Sequence, residues 1–197
     1  MSMMLITAFI GDLIKPGDYI GYHPDYRECI LLEEETGWDK KQTLKTEEFK
    51  YQFAGVIYGQ VILVADGVTE PIFLKGMAGH KKGSDAMQRY VQECYSSKVF
   101  GAKGICLTGA IFEKLEKISE KLINKDYKYF LSTPYICPFS HSTYFGVRYV
   151  DKDYFTFRIL CDAEGENHCY NFGVRPTIIL PSDIKIDENK NLIPYKD

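Results

Sequence analysis

The sequence is poor in the residues that usually advertise chemistry. Its 197 residues hold only four histidines, His23, His80, His141 and His168, and no two stand at helical spacing. There is no His-Glu-x-x-His and no Cys-x-x-Cys, so the spacings that hold zinc are missing. Each histidine is read as a surface or turn residue. A Gly-x-Ser-x-Gly elbow is absent too. Ser132, Ser140 and Ser142 lie near His141, but closeness in sequence does not build a triad. Gly76-Met-Ala-Gly-His-Lys-Lys-Gly83 has the glycines of a phosphate loop without its Gly-Lys-Ser/Thr ending, and is expected to be a flexible connector.

Other absences bound the setting. No apolar run approaches the ~20 residues of a membrane helix, so no membrane insertion is expected. Met1 to Ile10 is apolar but lacks a basic leader and an Ala-x-Ala-like cleavage site, and reads as a buried N-terminal strand. Cytoplasmic synthesis follows as an expectation. Lys and Arg number 24 against 27 Asp and Glu, a net charge of −3 with both signs scattered. Phosphate binding needs a concentrated basic face, so nucleic acid is not the expected partner.

What is present suits one domain spanning 1–197, with a β-rich part over 1–75 and helices plus a C-terminal antiparallel sheet over 76–197. A chain this long buries roughly 70% of its unfolded surface and needs no metal or disulfide staple. No cofactor is expected. The six cysteines, Cys29, Cys94, Cys106, Cys137, Cys161 and Cys169, are irregularly spaced and read as free core residues. A minority alternative pairs Cys161 with Cys169 across the turn Asp162-Ala-Glu-Gly-Glu-Asn167. That acidic turn is weighed as a calcium loop and read as solvated, because the ordered ligand spacing is missing.

Periodicity sets the elements. A Pro-Gly turn leads into a strand ending at Tyr22, and the Glu- and Lys-rich residues 33–50 read as a solvated loop. Phe53–Tyr58 and Gln60–Ala65 form two strands meeting at Gly59, and Thr69–Leu74 adds a short third. One helix is expected to start after Gly83 with Ser84 as N-cap, carrying a stripe of Ala86, Met87, Tyr90, Val91, Cys94 and Tyr95. A second starts near Thr108, lined by Ile111, Phe112, Leu115, Ile118 and Leu122, and ends near Asn124-Lys125. From Lys128 the period becomes two, giving strands over 129–132, 144–150, 154–161 and 171–180. Strands, two helices and strands again make an α+β fold.

Between Tyr127 and Phe157, 11 of 31 positions are Tyr or Phe. Phe130, Phe145 and Phe157 are assigned to the core. Tyr135, Phe139, Tyr144 and Tyr154 are left for turns or the opposite face. Together with His141, His168 and Tyr170 they form the candidate ligand-binding set, since tyrosine gives large contact area at low entropic cost.

Phe145-Gly-Val-Arg-Tyr149 and Phe172-Gly-Val-Arg-Pro176 repeat one motif, and the second runs on to Thr177-Ile-Ile-Leu180 and Ser182-Asp-Ile-Lys-Ile186. With Tyr129-Phe-Leu-Ser132, Gly17-Asp-Tyr-Ile20 and Ile105-Cys-Leu-Thr108, this resembles a family of proteins from bacteriophages and prophages of gut Firmicutes. The resemblance implies a C-type-lectin-like fold, of the branch shared with formylglycine-generating enzymes, in which two helices pack on antiparallel strands. It also implies structural roles for Arg148 and Arg175, paired with buried carboxylates or carbonyls.

Three functional expectations stand side by side. One is a non-enzymatic binding module of a phage or prophage, associated with the virion or tail, taking a protein or cell-surface ligand between Ser132 and Tyr170. Another is an intracellular effector that binds a host defence protein. The third is a degenerate enzyme of the formylglycine-generating type, for which Cys161 and Cys169 have the wrong spacing. Self-association into a homo-oligomer is compatible with all three.

Overall fold

A computed structural model gives the architecture. It describes residues 4–5, 14–123, 127–139, 142–150, 158–161 and 169–194, with side chains described at 14–75, 82–123, 127–133 and 172–194. The fold is α+β and dominated by strands. No helix of the described residues is long and apolar enough to cross a membrane.

The central sheet is antiparallel throughout, in the order β2 (Tyr19–Ile20), β5 (Tyr51–Ile57), β6 (Gln60–Ala65), β13 (Pro176–Leu180), β8 (Lys103–Cys106). In β6, every residue after Gln60 is apolar and buried, the pattern of a strand covered on both faces. Val61, Leu63 and Ala65 belong to the core shared with helix α2 (Gly76–Tyr95), and Ile62 and Val64 to the core shared with helix α3 (Gly109–Ile118). The sheet is therefore the middle of three layers. Its β5–β6 hairpin closes through Tyr58 and Gly59, both at positive φ, as a two-residue turn requires.

A second sheet has the order β11 (Arg158–Cys161), β10 (Ser142–Val150), β9 (Tyr129–Phe139), β12 (Cys169–Val174), β7 (Ile72–Lys75). Its pairs are antiparallel except β9 with β12, which run parallel. The expected antiparallel C-terminal sheet is thus mixed, and it recruits β7 from the N-terminal part. Two small sheets complete the fold: β3 (Glu28–Leu31) with β4 (Gln42–Lys45), and β14 (Lys185–Ile186) between β1 (Met4–Leu5) and β15 (Leu192–Ile193). Of the expected N-terminal strand, residues 4–5 form β1, and the rest of that segment lies outside the described residues.

Thr108 caps α3 as expected, accepting a hydrogen bond from the Ile111 amide at 3.2 Å. Ile111, Phe112, Leu115 and Leu122 are buried, but Ile118 is 40% exposed. The helix stops at Ile118, short of Asn124, and Leu122 is carried by a separate 3-10 turn, Glu120–Leu122.

Three expectations are corrected. Helix α2 begins at Gly76, not after Gly83, so the expected connector is helical. Gly83 packs rather than breaks: a Cβ there would lie 2.9 Å from Leu74 Cδ1. Residues 33–50 are not one loop. They hold helix α1 (Glu33–Thr36) and strand β4, whose single buried residue, Leu44, is too little to show a period. The strand expected over 171–180 is two strands in two sheets, divided at Arg175.

Cys29, Cys94 and Cys106 are buried and free, as expected. Burial pushes the Cys106 thiol up to about 12 and Cys94 up to about 11, so neither is a nucleophile near neutral pH. The minority pairing of Cys161 with Cys169 is excluded by strand order. β10 and β9 lie between their strands, a gap of roughly 14 Å against the ~7 Å limit for a disulfide.

Candidate functional site

The sequence-chosen residues centre on the β9–β10 hairpin. Its register sets Tyr135 opposite Gly146, Cys137 opposite Tyr144 and Phe139 opposite Ser142. In this register Tyr135, Phe139 and Tyr144 occupy positions of one parity. β11 pairs only with Gly146–Tyr149 and β12 only with Tyr129 and Phe130. Among the described residues, the outer half of the hairpin is therefore a two-stranded ribbon. Pro134 and Pro138 fall on one parity of β9. Proline is confined to the outward edge of a ladder, so the ribbon's outer edge lacks two donors.

The base of the ribbon is fixed by short polar contacts. Val147 faces Pro134 while Arg148 faces Leu131, which leaves Ser132 and Thr133 as extra residues in β9. Both turn toward the start of α3. The Ser132 amide donates to Leu107 O at 3.0 Å and its hydroxyl to Cys106 O at 3.3 Å. Thr133 Oγ1 accepts from the Gly109 amide at 2.7 Å. At the other end, Tyr129 donates its hydroxyl to Ile123 O, and Phe130 meets Phe172 with ring centroids 5.1 Å apart. The ribbon thus leaves a rigid foot.

Arg175 is fully buried where β12 becomes β13. Its Nε donates to Ala65 O at 2.7 Å, its Nη1 donates to Leu122 O, and its guanidinium lies 5.9 Å from the Tyr129 ring centre. The partners in these bonds are carbonyls, one of the two alternatives the resemblance implied. Burial lowers the Arg175 pKa, with Tyr129 and Asp66 acting in the opposite direction. Gly173, two residues earlier, lies so close to Thr69 that a Cβ would fall 2.1 Å from its carbonyl oxygen. Arg148 stands between Leu131 and Ile159 in the second sheet.

Not every expected residue joins the ribbon. Tyr170 lies opposite Leu74 on β12. The parallel register Gly173 to Tyr129 sets it about nine residues, roughly 30 Å, from Tyr135 along the strand direction. It belongs to the opposite end of the sheet. His141, Tyr154 and His168 lie outside the described residues, as does the acidic turn Asp162–Asn167.

A cleft that the sequence did not flag lies in the N-terminal part. His23, Pro24, Tyr26, Glu48, Phe49 and Lys50 line about 310 Å³. Tyr26 donates to Glu48 Oε1 at 3.0 Å, and Lys50 Nζ sits 5.8 Å from the Tyr19 ring centre. Phe49 stacks on Tyr95 with centroids 5.9 Å apart. These residues fall in irregular segments, so no periodicity marks them. Among the described residues no three His, Cys, Asp or Glu side chains gather as a metal site.

Against family models, curated proteins and solved structures alike, the chain finds no match. The reading of function therefore rests on its own residues.

Proposed function

We propose that the protein is a non-enzymatic binding module of a phage or prophage, which takes a protein or cell-surface ligand on one face of the β9–β10 ribbon. One observation carries the reading. The ribbon sets Tyr135, Phe139 and Tyr144 at one parity, with Phe139 and Tyr144 past the described pairings of β11 and β12, and the outer edge of β9 lacks the donors at Pro134 and Pro138. An edge short of two donors is a poor template for an added strand, which favours contact on the faces. Tyrosine and phenylalanine on a rigid foot bind at low ordering cost.

The C-type-lectin-like fold and the virion or tail setting belong to the same reading. They are supported by the two Phe-Gly-Val-Arg segments and by the order of α2 and α3 followed by β9 to β13. Two measurements test it. Labelled wild-type protein should decorate host cells, and a Tyr135→Ser/Phe139→Ser/Tyr144→Ser variant with an unchanged circular dichroism spectrum should decorate them at least about tenfold less. Equal decoration removes the ribbon from the reading. Mass spectrometry of purified particles should find the protein, and its absence removes the virion role.

A further inference from the structure

β7 forms one edge of the second sheet, and that edge is closed by a side chain. Gln42 Oε1 accepts from the Phe73 amide at 2.8 Å, and Gln42 Nε2 donates to the Phe73 carbonyl at 2.9 Å. β4 is not a strand of this sheet. The glutamine amide stands where the peptide group of a neighbouring strand would stand, with one donor and one acceptor in matching places. Around it, Trp38 stacks on Phe73 with centroids 5.0 Å apart and planes 22° from parallel. Asp39 holds the ammonium of Lys75 at 3.0 and 3.1 Å. Trp38 and Asp39 come from the stretch between β3 and β4, and Gln42 is the first residue of β4.

We propose that Gln42 and Trp38 keep β7 from pairing with the β7 edge of a second copy of this chain. The second copy is the matching occupant because the edge is self-complementary. An antiparallel two-fold pairing centred on Phe73 sets each Phe73 amide on the other Phe73 carbonyl, and each ring beside the other where Trp38 now stacks. The pairing returns the kinds of contact the guards supply, two hydrogen bonds and an aromatic contact. The guards win because they are tethered, so their contacts form without the cost of bringing two molecules together. The pairing is also short, because Pro71 has no N–H to offer and Lys75 brings a charge to the edge.

Sedimentation of the full chain over a concentration series tests this, together with amide exchange at Phe73. Trp38→Ala/Gln42→Ala should form a dimer whose fraction exceeds that of wild type by at least about tenfold at high protein concentration. Its Phe73 amide should exchange faster than in wild type when dilute and slow again as concentration rises. Gln42→Ala alone should show the same pattern more weakly. The proposal is overturned by a wild-type chain that dimerises equally. It is also overturned by a variant whose Phe73 amide is exposed while its mass stays constant, or by dimerisation that leaves Phe73 exchange independent of concentration.

Discussion

The two faces of the central sheet are packed by different means. Toward α3 the core is aliphatic, with Ile57, Ile62, Val64, Ile111, Leu115 and Leu131 around Phe112, and Tyr129 at its edge. Toward α2 it contains four buried tyrosines, Tyr22, Tyr51, Tyr90 and Tyr95. Three of their hydroxyls hold backbone. Tyr22 donates to Tyr95 O at 2.7 Å, Tyr90 donates to Lys45 O at 3.0 Å, and Tyr95 accepts from the Glu47 amide at 3.2 Å. The reason lies in what each face must organise. The α3 side joins elements whose backbone groups are met mainly by ladders and a capped helix, with Tyr129 and Arg175 meeting the carbonyls of Ile123 and Leu122 after the helix. On the α2 side hydroxyl tips meet Tyr95 O at the end of α2, Lys45 O at the end of β4 and the Glu47 amide in the segment after it.

High pH should separate the two faces most strongly. Burial raises the phenols of Tyr22, Tyr51, Tyr90 and Tyr95 well above their ordinary value near 10. A group whose pKa is raised by folding contributes its stability fully below the unfolded value and loses it as pH climbs toward the folded one. Stability should thus fall above pH ~10, by about 1.4 kcal/mol per pH unit per tyrosine, or up to about 5.6 for the four. Absorbance at 295 nm should show these tyrosines ionising together with unfolding. Smooth ionisation with the fold retained would mean that the rings are not sealed.

Next in size is Arg175, which ties the end of β6 to the 3-10 turn beside the α3 core. Arg175→Ala leaves the carbonyls of Ala65 and Leu122 without their charged donor and opens a void, a loss of about 4 kcal/mol. Urea unfolding followed by the fluorescence of Trp38 measures it. A loss below about 1 kcal/mol would show that water replaces the guanidinium without difficulty.

Legibility in the sequence followed the same divide. Helix α3 could be read because Thr108 caps it and its apolar residues recur at one period, and the β5–β6 hairpin because β-branched residues flank Gly59. The start of α2 could not, because Gly83 looks like a breaker until Leu74 is seen against it. Nor could the division at Arg175, since nothing in Asn171–Leu180 announces a change of sheet. For the candidate site, the crowding of aromatic residues pointed to the stretch that forms the ribbon. Sequence nearness misled over Tyr170, because strand direction, not position in the chain, decides what lies together. Gln42 was hidden entirely: a polar residue in a charged stretch gives no sign that its amide will meet a strand edge.

The smallest effect gives the sharpest test of the tyrosine face. Tyr51 is as buried as its neighbours, yet among the described residues its hydroxyl has no hydrogen-bond partner. It meets Tyr22 edge to face at 4.9 Å between centroids. If hydroxyl tips matter on this face only where they hold backbone, removing this one should cost nothing. An unsatisfied buried hydroxyl is itself a penalty, so Tyr51→Phe should leave stability unchanged or raise it by up to about 1 kcal/mol. Tyr90→Phe, which gives up the bond to Lys45 O, should instead lose about 1 kcal/mol. The two substitutions delete the same oxygen atom from the same core, so side-chain volume cancels between them. Equal losses in urea unfolding would mean that the hydroxyl of Tyr51 has found water, and that the α2 face is wetter than its packing shows.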